Sequence, residues 1–156
     1  MNQKKWDRRF LSLAEFISQW SKDPSTKVGA VIVEAGKRIV SLGFNGFAQS
    51  MPDRLEFYLE REEKYSRIVH GEINALIFAR RSVEGMTLYT YPFMPCDRCA
   101  VQMIQAGIKR VVAPMATEEQ LKRWGRSFEK TRQYFSESGV ELLEINFSLL
   151  PGELGV

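Results

Sequence analysis

The chain has 156 residues, of which 44% are hydrophobic and 26% are charged, with a formal net charge of +3. A chain of this length can bury a full core without disulfides, so we expect a single domain over residues 1–156. The small basic excess suits an anionic small substrate and gives no argument for a nucleic-acid surface. The N-terminal sequence MNQKKWDRRF is followed by no apolar run that would indicate a signal peptide or membrane span, so we expect a cytoplasmic protein.

The first half of the chain predicts an amphipathic helix followed by a β-hairpin. The helix is expected over residues 5–20, where apolar side chains recur at helical spacing: Trp6, Phe10, Leu13, Ala14, Ile17 and Trp20. VGAVIVE and RIVSLGFN are rich in β-branched residues and flank AGK at 35–37, which is typical of a hairpin. Residues 45–53 are predicted to form a loop, and the charge-dense segment 54–68 is interpreted as a partly helical, solvated surface.

The second half predicts alternating helices and strands. Strands are expected at 86–91, 108–114 and 140–145. One helix is expected over 70–82, and the stripe of this helix that faces the core is expected at Ile73, Leu76, Ile77 and Arg80. A second is expected over 96–107 and ends at Gly107. A third starts at a capping box and ends at Gly139; its capping pair and apolar face are Thr117 with Gln120, then Leu121, Trp124, Phe128 and Phe135.

These elements predict an α/β fold with one five-stranded mixed sheet. The last two strands are separated by residues 115–139, which contain a helix. Antiparallel neighbours need only a short turn, whereas parallel neighbours need a crossover of about a dozen residues or more. We therefore expect the last two strands to be parallel and helices to cover both faces of the sheet. The tail LLPGELGV at 149–156 is predicted to be irregular.

The chain contains one histidine, His70, and two cysteines, Cys96 and Cys99. Each belongs to the start of a predicted helix, where free N–H groups and the helix dipole favour a thiolate. The spacing of the two cysteines puts both sulfurs on one face of a first turn. If the two helices begin at the same end of the sheet, one nitrogen and two sulfurs can bind a zinc ion.

The number of ligands indicates which kind of zinc site this is. Structural zinc uses four protein ligands, usually Cys or His, and the chain has three. A carboxylate or a neighbouring subunit could close the site, but the simpler interpretation leaves the fourth position to water, as in catalytic zinc sites. Taken singly, His70 could be an ordinary hydrogen-bonded residue, the CxxC pair a redox site, and Glu72 a surface carboxylate. The combination of H-x-E with P-C-x-x-C is the signature of zinc nucleobase deaminases and favours catalytic zinc.

The sequence resembles the zinc-dependent cytidine and deoxycytidylate deaminase superfamily. The resemblance covers SKDPSTKVGAVIV, GFNG, VHGEINALIFA, PCDRCA and IQAGIKRVV, and it is greatest to the deoxycytidylate (dCMP) branch with its H-A-E-x-N-A and G-Y-N-G elements. It implies a three-layer α-β-α fold, one Zn²⁺ per subunit bound by His70, Cys96 and Cys99, and Glu72 as the catalytic proton shuttle. The implied reaction is hydrolysis of a cyclic amidine C–N bond, converting dCMP to dUMP and ammonia. The resemblance also implies homo-oligomers and the effectors dCTP and dTTP.

Four residues are candidate substrate contacts. Asn45 in GFNG is a candidate contact to base or sugar, with a plain turn residue as the alternative. Lys27 and Arg54 are candidates for the 5′-phosphate, with plain solvated charges as the alternative. Tyr91, like Phe93, is a candidate for stacking on the pyrimidine, with core packing as the alternative. Further phosphate-donor candidates are Ser25, Thr26, Arg61 and Lys64.

Two departures from the family pattern and three other functions remain open. Gly71 replaces the usual alanine, which should leave room for the base, and YTYPFMPC carries one more residue before Pro-Cys than the usual YVTLxPC.

A tRNA adenosine deaminase would need a basic RNA surface, and its motif lacks the asparagine found here at position 74. A free cytidine deaminase usually joins its last two strands as a hairpin. In a non-enzymatic zinc module Glu72 would have no role. The His and Cys of a second, structural zinc are missing, which predicts one zinc per subunit.

Overall fold

A computed structural model of the chain describes residues 2–147, and the predicted irregular tail at 149–156 lies outside them. The elements in chain order are α1 (Gln3–Ser18), β1 (Gly29–Glu34), β2 (Arg38–Phe44), β3 (Gly46–Phe47), α2 (Leu55–Leu59), α3 (Arg61–Arg67), β4 (Ile68–Val69), α4 (Gly71–Ala79), β5 (Thr87–Tyr91), α5 (Asp97–Gln105), β6 (Arg110–Pro114), α6 (Glu118–Ser138) and β7 (Glu141–Ile145). None of the helices within residues 2–147 is both long and apolar enough to cross a membrane.

The main sheet has five strands in the order β2-β1-β5-β6-β7. β1 pairs antiparallel with β2 and with β5, whereas β5–β6 and β6–β7 are parallel. The predicted mixed sheet with parallel last strands is therefore confirmed. α6 makes the crossover, and it begins with the predicted capping box and ends at Gly139 in the left-handed conformation. β3 and β4 form a separate two-stranded sheet that was not predicted: β3 lies in the predicted loop 45–53, and β4 begins at the end of the partly helical segment 54–68.

Helices cover both faces of the sheet, which gives the expected three layers. α1 lies on one face, where Phe10, Leu11 and Ala14 pack against Val31 and Tyr89. α4, α5 and α6 cover the other face. Trp20 was wrongly predicted to extend the buried stripe of α1. The helix ends at Ser18 and Trp20 is 56% exposed, while Leu11, one position beyond the predicted stripe, is fully buried.

α4 lies unusually close to β2, and this explains an incorrect part of its predicted face. A Cβ atom added to Gly43 would stand 2.4 Å from the backbone nitrogen of Ala75 and from the carbonyl oxygen of Gly71. The absence of that atom lets the helix backbone rest on the strand, so small residues such as Ala75 form the buried stripe. Ile77, predicted to face the core, is instead 58% exposed. Leu121 on α6 is likewise 42% exposed, contrary to its predicted place in the core.

The charge-dense segment 54–68 contributes two buried side chains, so its interpretation as a solvated surface is only partly correct. It is helical as expected, but Tyr58 and Lys64 are buried. The Tyr58 ring stacks on Phe47 with centroids 3.9 Å apart. The Lys64 ammonium lies 2.8 Å from a carboxylate oxygen of Asp23, which is itself buried. A charge pattern alone misses this because a lysine can be buried only when its partner carboxylate is brought from elsewhere in the fold.

Candidate active site

The candidate metal ligands meet where α4 and α5 begin, at the carboxyl end of β5. His70 is the N-cap residue of α4 and Cys96 the N-cap residue of α5, so both have extended backbone conformations. Cys99 lies in the first turn of α5, and its backbone N–H donates to the Cys96 sulfur at 3.4 Å. Two short-range sequence patterns are thus brought together by the packing of two helices against one sheet.

The three side chains have the geometry of a zinc site. The Nδ1 atom of His70 stands 3.2 Å from the Cys99 sulfur and 3.6 Å from the Cys96 sulfur. Two ligands of a tetrahedral zinc ion stand about 3.6 Å apart, given Zn–N and Zn–S bonds of about 2.0 and 2.3 Å. Within residues 2–147, His70, Cys96 and Cys99 form the one such cluster, with all ligand atoms within 4.8 Å. The donor set therefore fits a zinc ion that takes three protein ligands.

Hydrogen bonds among the two thiols and the imidazole shift the pKa values of all three groups. Hydrogen bonds from the Cys99 thiol and then from His70 lower the pKa of Cys96 to about 4. The pKa of Cys99 is raised, first because it donates to the Cys96 sulfur and then because it is buried. The hydrogen bond with Cys96 also raises the pKa of His70. The lowered pKa of Cys96 favours its thiolate, which is the form that binds metal.

Glu72 lies in the first turn of α4, close to the metal ligands but outside their cluster. It is 4% exposed, and its Oε1 accepts a hydrogen bond of 3.2 Å from the hydroxyl of Thr90 on β5. Burial raises the pKa of Glu72 above its ordinary value. A carboxyl group whose pKa moves towards neutrality can both accept and release a proton at the working pH.

Glu72, His70 and Cys96 line one cavity of about 120 Å³. Four aromatic side chains from outside α4 line the same cavity: Tyr65, Phe93, Trp124 and Phe128. The rings of the last three form a continuous cluster, with the centroid of Phe93 4.7 Å from that of Trp124 and 5.3 Å from that of Phe128. A small cavity with aromatic walls and a few polar groups suits a flat heterocyclic ring.

Residues 4–115 match the family model of the cytidine and deoxycytidylate deaminase zinc-binding region. The chain belongs to this family. Membership makes the protein a zinc-dependent hydrolase of C–N bonds, and His70, Cys96 and Cys99 are the cluster able to bind the zinc ion. The five-stranded mixed sheet with helices on both faces confirms the cytidine deaminase-like fold that the resemblance implied.

Similar proteins support this assignment. A protein of Aliivibrio fischeri named "Uncharacterized deaminase in luxG 3'region" is 44% identical over 146 residues, which cover 94% of this chain and 97% of that protein. The deoxycytidylate deaminase of Mus musculus is 38% identical, but the match covers 69% of this chain and 63% of the mouse protein. The crystal structure of dCMP deaminase from the cyanophage S-TIM5, in complex with dCMP and dUMP, matches with a TM-score of 0.73 and 25% identity. It covers 93% of this deaminase and 99% of the phage chain.

Of the four predicted substrate contacts, Asn45 alone lines the catalytic cavity. Its side chain is also engaged within the protein. Its Oδ1 accepts the Val28 N–H at 2.8 Å, and its Nδ2 donates to the carbonyl oxygen of Thr26 at 2.9 Å and to Asp23 at 3.4 Å. Asn45 therefore holds residues 23–28 against the end of β2, and its contact to substrate stays a prediction.

The other three predicted contacts lie outside this cavity. Lys27 donates to the carbonyl oxygen of Ser21 and borders a neighbouring groove. Arg54 is exposed and pairs with Glu56 at 3.4 Å. Tyr91 borders the same groove as Lys27 and packs with the α1 layer of the core. None of the three lines the cavity that contains His70 and Cys96, and their contact to substrate stays a prediction.

Two residues that line the cavity, Arg123 and Trp124, were not predicted to belong to the site. Both lie on α6, and Trp124 was interpreted only as part of the apolar face. The segment with the extra residue before Pro95 directs Phe93, and not Tyr91, into the cavity. Gly71 packs closely against Val28, which lines the cavity. A methyl group on Gly71 would stand 3.1 Å from the carbonyl oxygen of Val28.

Proposed function

We propose that the protein catalyses hydrolytic deamination of dCMP to dUMP and ammonia. The observation that carries the proposal is the cluster of His70, Cys96 and Cys99 beside the buried carboxyl of Glu72, facing a cavity walled by aromatic rings. The names of the relatives support the substrate, since several are deoxycytidylate deaminases, and the phage structure contains dCMP and dUMP.

His70, Cys96 and Cys99 would hold the zinc ion, which when bound would supply Lewis-acid activation of water. Glu72 moves the protons. Its carboxylate accepts a proton from the attacking water, and the same proton is delivered to N3 of the pyrimidine. A second proton passes through Glu72 to the amino group at C4, which leaves as ammonia. Water and cytosine are thereby converted to uracil and ammonia with no other reactant.

The remaining residues of the cavity orient the base. The rings of Phe93, Trp124 and Phe128 restrict a pyrimidine to a plane and exclude water from its faces. Thr90 keeps the carboxyl of Glu72 in place through its hydrogen bond. Orientation of this kind converts a bimolecular encounter into a step within one complex, which is a large part of enzymatic rate enhancement.

Ammonia release from a panel of substrates tests the proposal. The zinc-loaded protein is incubated with dCMP, dCTP, deoxycytidine and a tRNA anticodon stem. We expect release from dCMP at the highest kcat/KM. Release from the tRNA stem alone would replace the proposal with adenosine deamination, and inactivity on all four substrates would remove it.

We also propose that the chain works as one catalytic domain in a homo-oligomer. One family model spans residues 4–115, which supports a single domain. Exposed apolar side chains on both sides of the edge strand β2 support association, because such patches commonly mark interfaces. They are Phe16, Trp20, Ile39, Ile77 and Phe78. Light scattering coupled to gel filtration tests this, and a monomer at micromolar concentration would contradict it.

Two further parts of the proposal concern regulation and location. Control by dCTP and dTTP rests on the resemblance to the dCMP branch, and assays of dCMP turnover with each nucleotide test it. A cytoplasmic location is supported by the two cysteines, because thiolate ligands persist where thiols are kept reduced. Cell fractionation with an antibody to the protein tests the location.

A further inference from the structure

Two arginines from different helices border one groove beside the catalytic cavity. The groove has a volume of about 560 Å³ and is lined by Arg61 of α3 and Arg123 of α6. Lys64, Tyr65 and Arg123 line both the groove and the catalytic cavity. A ligand whose ring occupies the cavity can therefore extend into the groove without leaving the protein surface.

The charges of these two arginines are not compensated by carboxylates. Among the ion pairs formed within residues 2–147, none includes Arg61 or Arg123. The described lining of the groove contains no acidic residue. Lys64 differs, because Asp23 lies 2.8 Å from its ammonium and neutralises it. The groove is thus an electropositive site built from two guanidinium groups.

Each guanidinium group is held by an aromatic ring of its own helix. Arg61 lies over the ring of Tyr65, 5.4 Å from its centroid, and Arg123 lies over Trp124 at 4.3 Å. Stacking occupies the face of a guanidinium group and leaves the N–H donors at its edge available. Such an arrangement presents several donors to a tetrahedral anion, which guanidinium groups bind in a bidentate manner.

We propose that this groove binds the 5′-phosphate of the substrate, and that Arg61 and Arg123 make the enzyme prefer nucleotides over nucleosides. The inference rests on the proposed function, because it assumes that the pyrimidine occupies the catalytic cavity. A phosphate monoester carries a charge of about −1.5 to −2 at neutral pH, which the two arginines balance.

A second groove that borders Arg123 is a poorer phosphate site. It contains Lys27, whose ammonium already donates to the carbonyl oxygen of Ser21, and it also contains Glu119. A carboxylate in the lining repels a phosphate dianion. Charge therefore directs the phosphate to the groove of Arg61 and away from that of Lys27.

Binding of the product tests the inference independently of turnover. Calorimetry with the zinc-loaded protein compares dUMP with deoxyuridine, which lacks the phosphate. We expect Arg61→Gln and Arg123→Gln each to weaken dUMP binding about 10- to 100-fold, the range for a lost hydrogen bond to a charged group, with deoxyuridine changed less than about 2-fold. The matched control is Arg126→Gln, an exposed arginine of α6 that borders neither cavity nor groove, and it should bind both ligands like the unmodified protein.

The outcomes separate this inference from the proposed function. Release of ammonia from dCMP, together with an unchanged preference for dUMP in Arg61→Gln and Arg123→Gln, would overturn the groove assignment and leave the reaction intact. Loss of dUMP binding in Lys27→Gln alone would likewise overturn it, by moving the phosphate to the second groove. Conversely, arginine-dependent dUMP binding in a protein that does not deaminate dCMP would support the groove and refute the reaction. Retained deoxyuridine binding shows that each variant is folded.

Discussion

The hydroxyl of Thr90 donates a hydrogen bond to Oε1 of Glu72 across 3.2 Å, and both side chains are buried. The bond joins β5 to the first turn of α4, so it sets the position of the carboxyl relative to the sheet. One oxygen of Glu72 is occupied by this bond, which leaves the other for proton transfer. Thr90 is therefore a positioning residue for the proposed proton shuttle.

Replacing Thr90 tests that role. Thr90→Val keeps the shape and removes the donor, which leaves a buried carboxyl oxygen without this partner. We expect kcat for dCMP to fall about 10-fold or more with little change in KM, whereas Thr90→Ser should retain most of the activity. Steady-state kinetics of the two variants measures the difference. A kcat for Thr90→Val equal to that of the unmodified protein would refute the role.

Glu72→Gln should separate zinc binding from catalysis. The amide has the size of the carboxyl but cannot carry the protons, so we expect turnover to fall about 10²- to 10⁴-fold. Zinc content should stay unchanged because Glu72 lies outside the ligand cluster. Glu129→Gln, an exposed carboxyl of α6, is the control and should remain fully active. A zinc-loaded Glu72→Gln protein that keeps its activity would show that Glu72 is not the proton shuttle.

The ligand cluster predicts one zinc ion per chain. Metal analysis of the purified protein should give about one equivalent, and Cys99→Ser should lower it and also lower the melting temperature. Stability falls with the metal because an ion that binds only the folded state stabilises that state. Two equivalents of zinc, or full zinc retention in Cys99→Ser, would contradict the three-ligand site.

A methyl group at position 43 should prevent the close packing of α4 on β2. The added Cβ would lie 2.4 Å from backbone atoms of Gly71 and Ala75, which cannot move independently. We expect Gly43→Ala to lower the free energy of unfolding by about 1–3 kcal/mol or more. Gly46→Ala is the matched control because its Cβ would have no neighbour within 4 Å, and we expect a change within about 0.5 kcal/mol. Urea titration of both variants measures the difference, and equal stabilities would show that the strand and helix can separate freely.

The ion pair between Asp7 and Arg110, 2.8 Å long, predicts sensitivity to acid. Burial alone would raise the pKa of Asp7, but hydrogen bonds from Arg110 and Tyr89 outweigh it and hold the pKa below 3.8. Such a group contributes stability above its unfolded pKa of about 3.9, and that stability is lost as the pH falls through the folded pKa. Asp7→Asn should therefore destabilise the protein by about 3 kcal/mol at neutral pH, with a smaller difference below about pH 4.

The control for this prediction is Glu56, which forms an exposed ion pair with Arg54. Exposed pairs contribute less than about 1 kcal/mol, so Glu56→Gln should have little effect at either pH. Urea titrations at pH 7 and pH 3 compare the two variants. If the free energy of unfolding of Asp7→Asn differs from that of the unmodified protein by the same amount at both pH values, the charge of the Asp7 carboxylate does not stabilise the fold.

The metal ligands were predictable from the sequence because each depends on a local rule. Cys96 and Cys99 stand three residues apart at a helix start, and His70 with Glu72 stands at another. The capping box at Thr117 also depends only on neighbours in sequence. The parallel pairing of β6 and β7 follows from the length of α6. Each of these features is decided within a few residues or by the length of one connection.

The side chains that line the cavity beside the metal ligands were not predictable in the same way. Tyr91 and Phe93 are equally aromatic, yet Tyr91 packs with the α1 layer and Phe93 lines the cavity. Lys64 is buried because Asp23, forty-one residues away in sequence, supplies its counter-charge. Arg123 reaches the cavity only because α6 packs beside α5. Choices of this kind depend on packing between distant elements.

The amino-acid sequence by itself determined the zinc-binding residue types and the order of the five strands of the main sheet along the chain, because residue type, helix-start spacing and connection length act locally. The tertiary structure decided which charged and aromatic side chains face the catalytic cavity, and hence where a phosphate can bind. The physical reason is that burial of a charge or a ring is favourable only against its partners, and those partners come from elements that are distant in sequence.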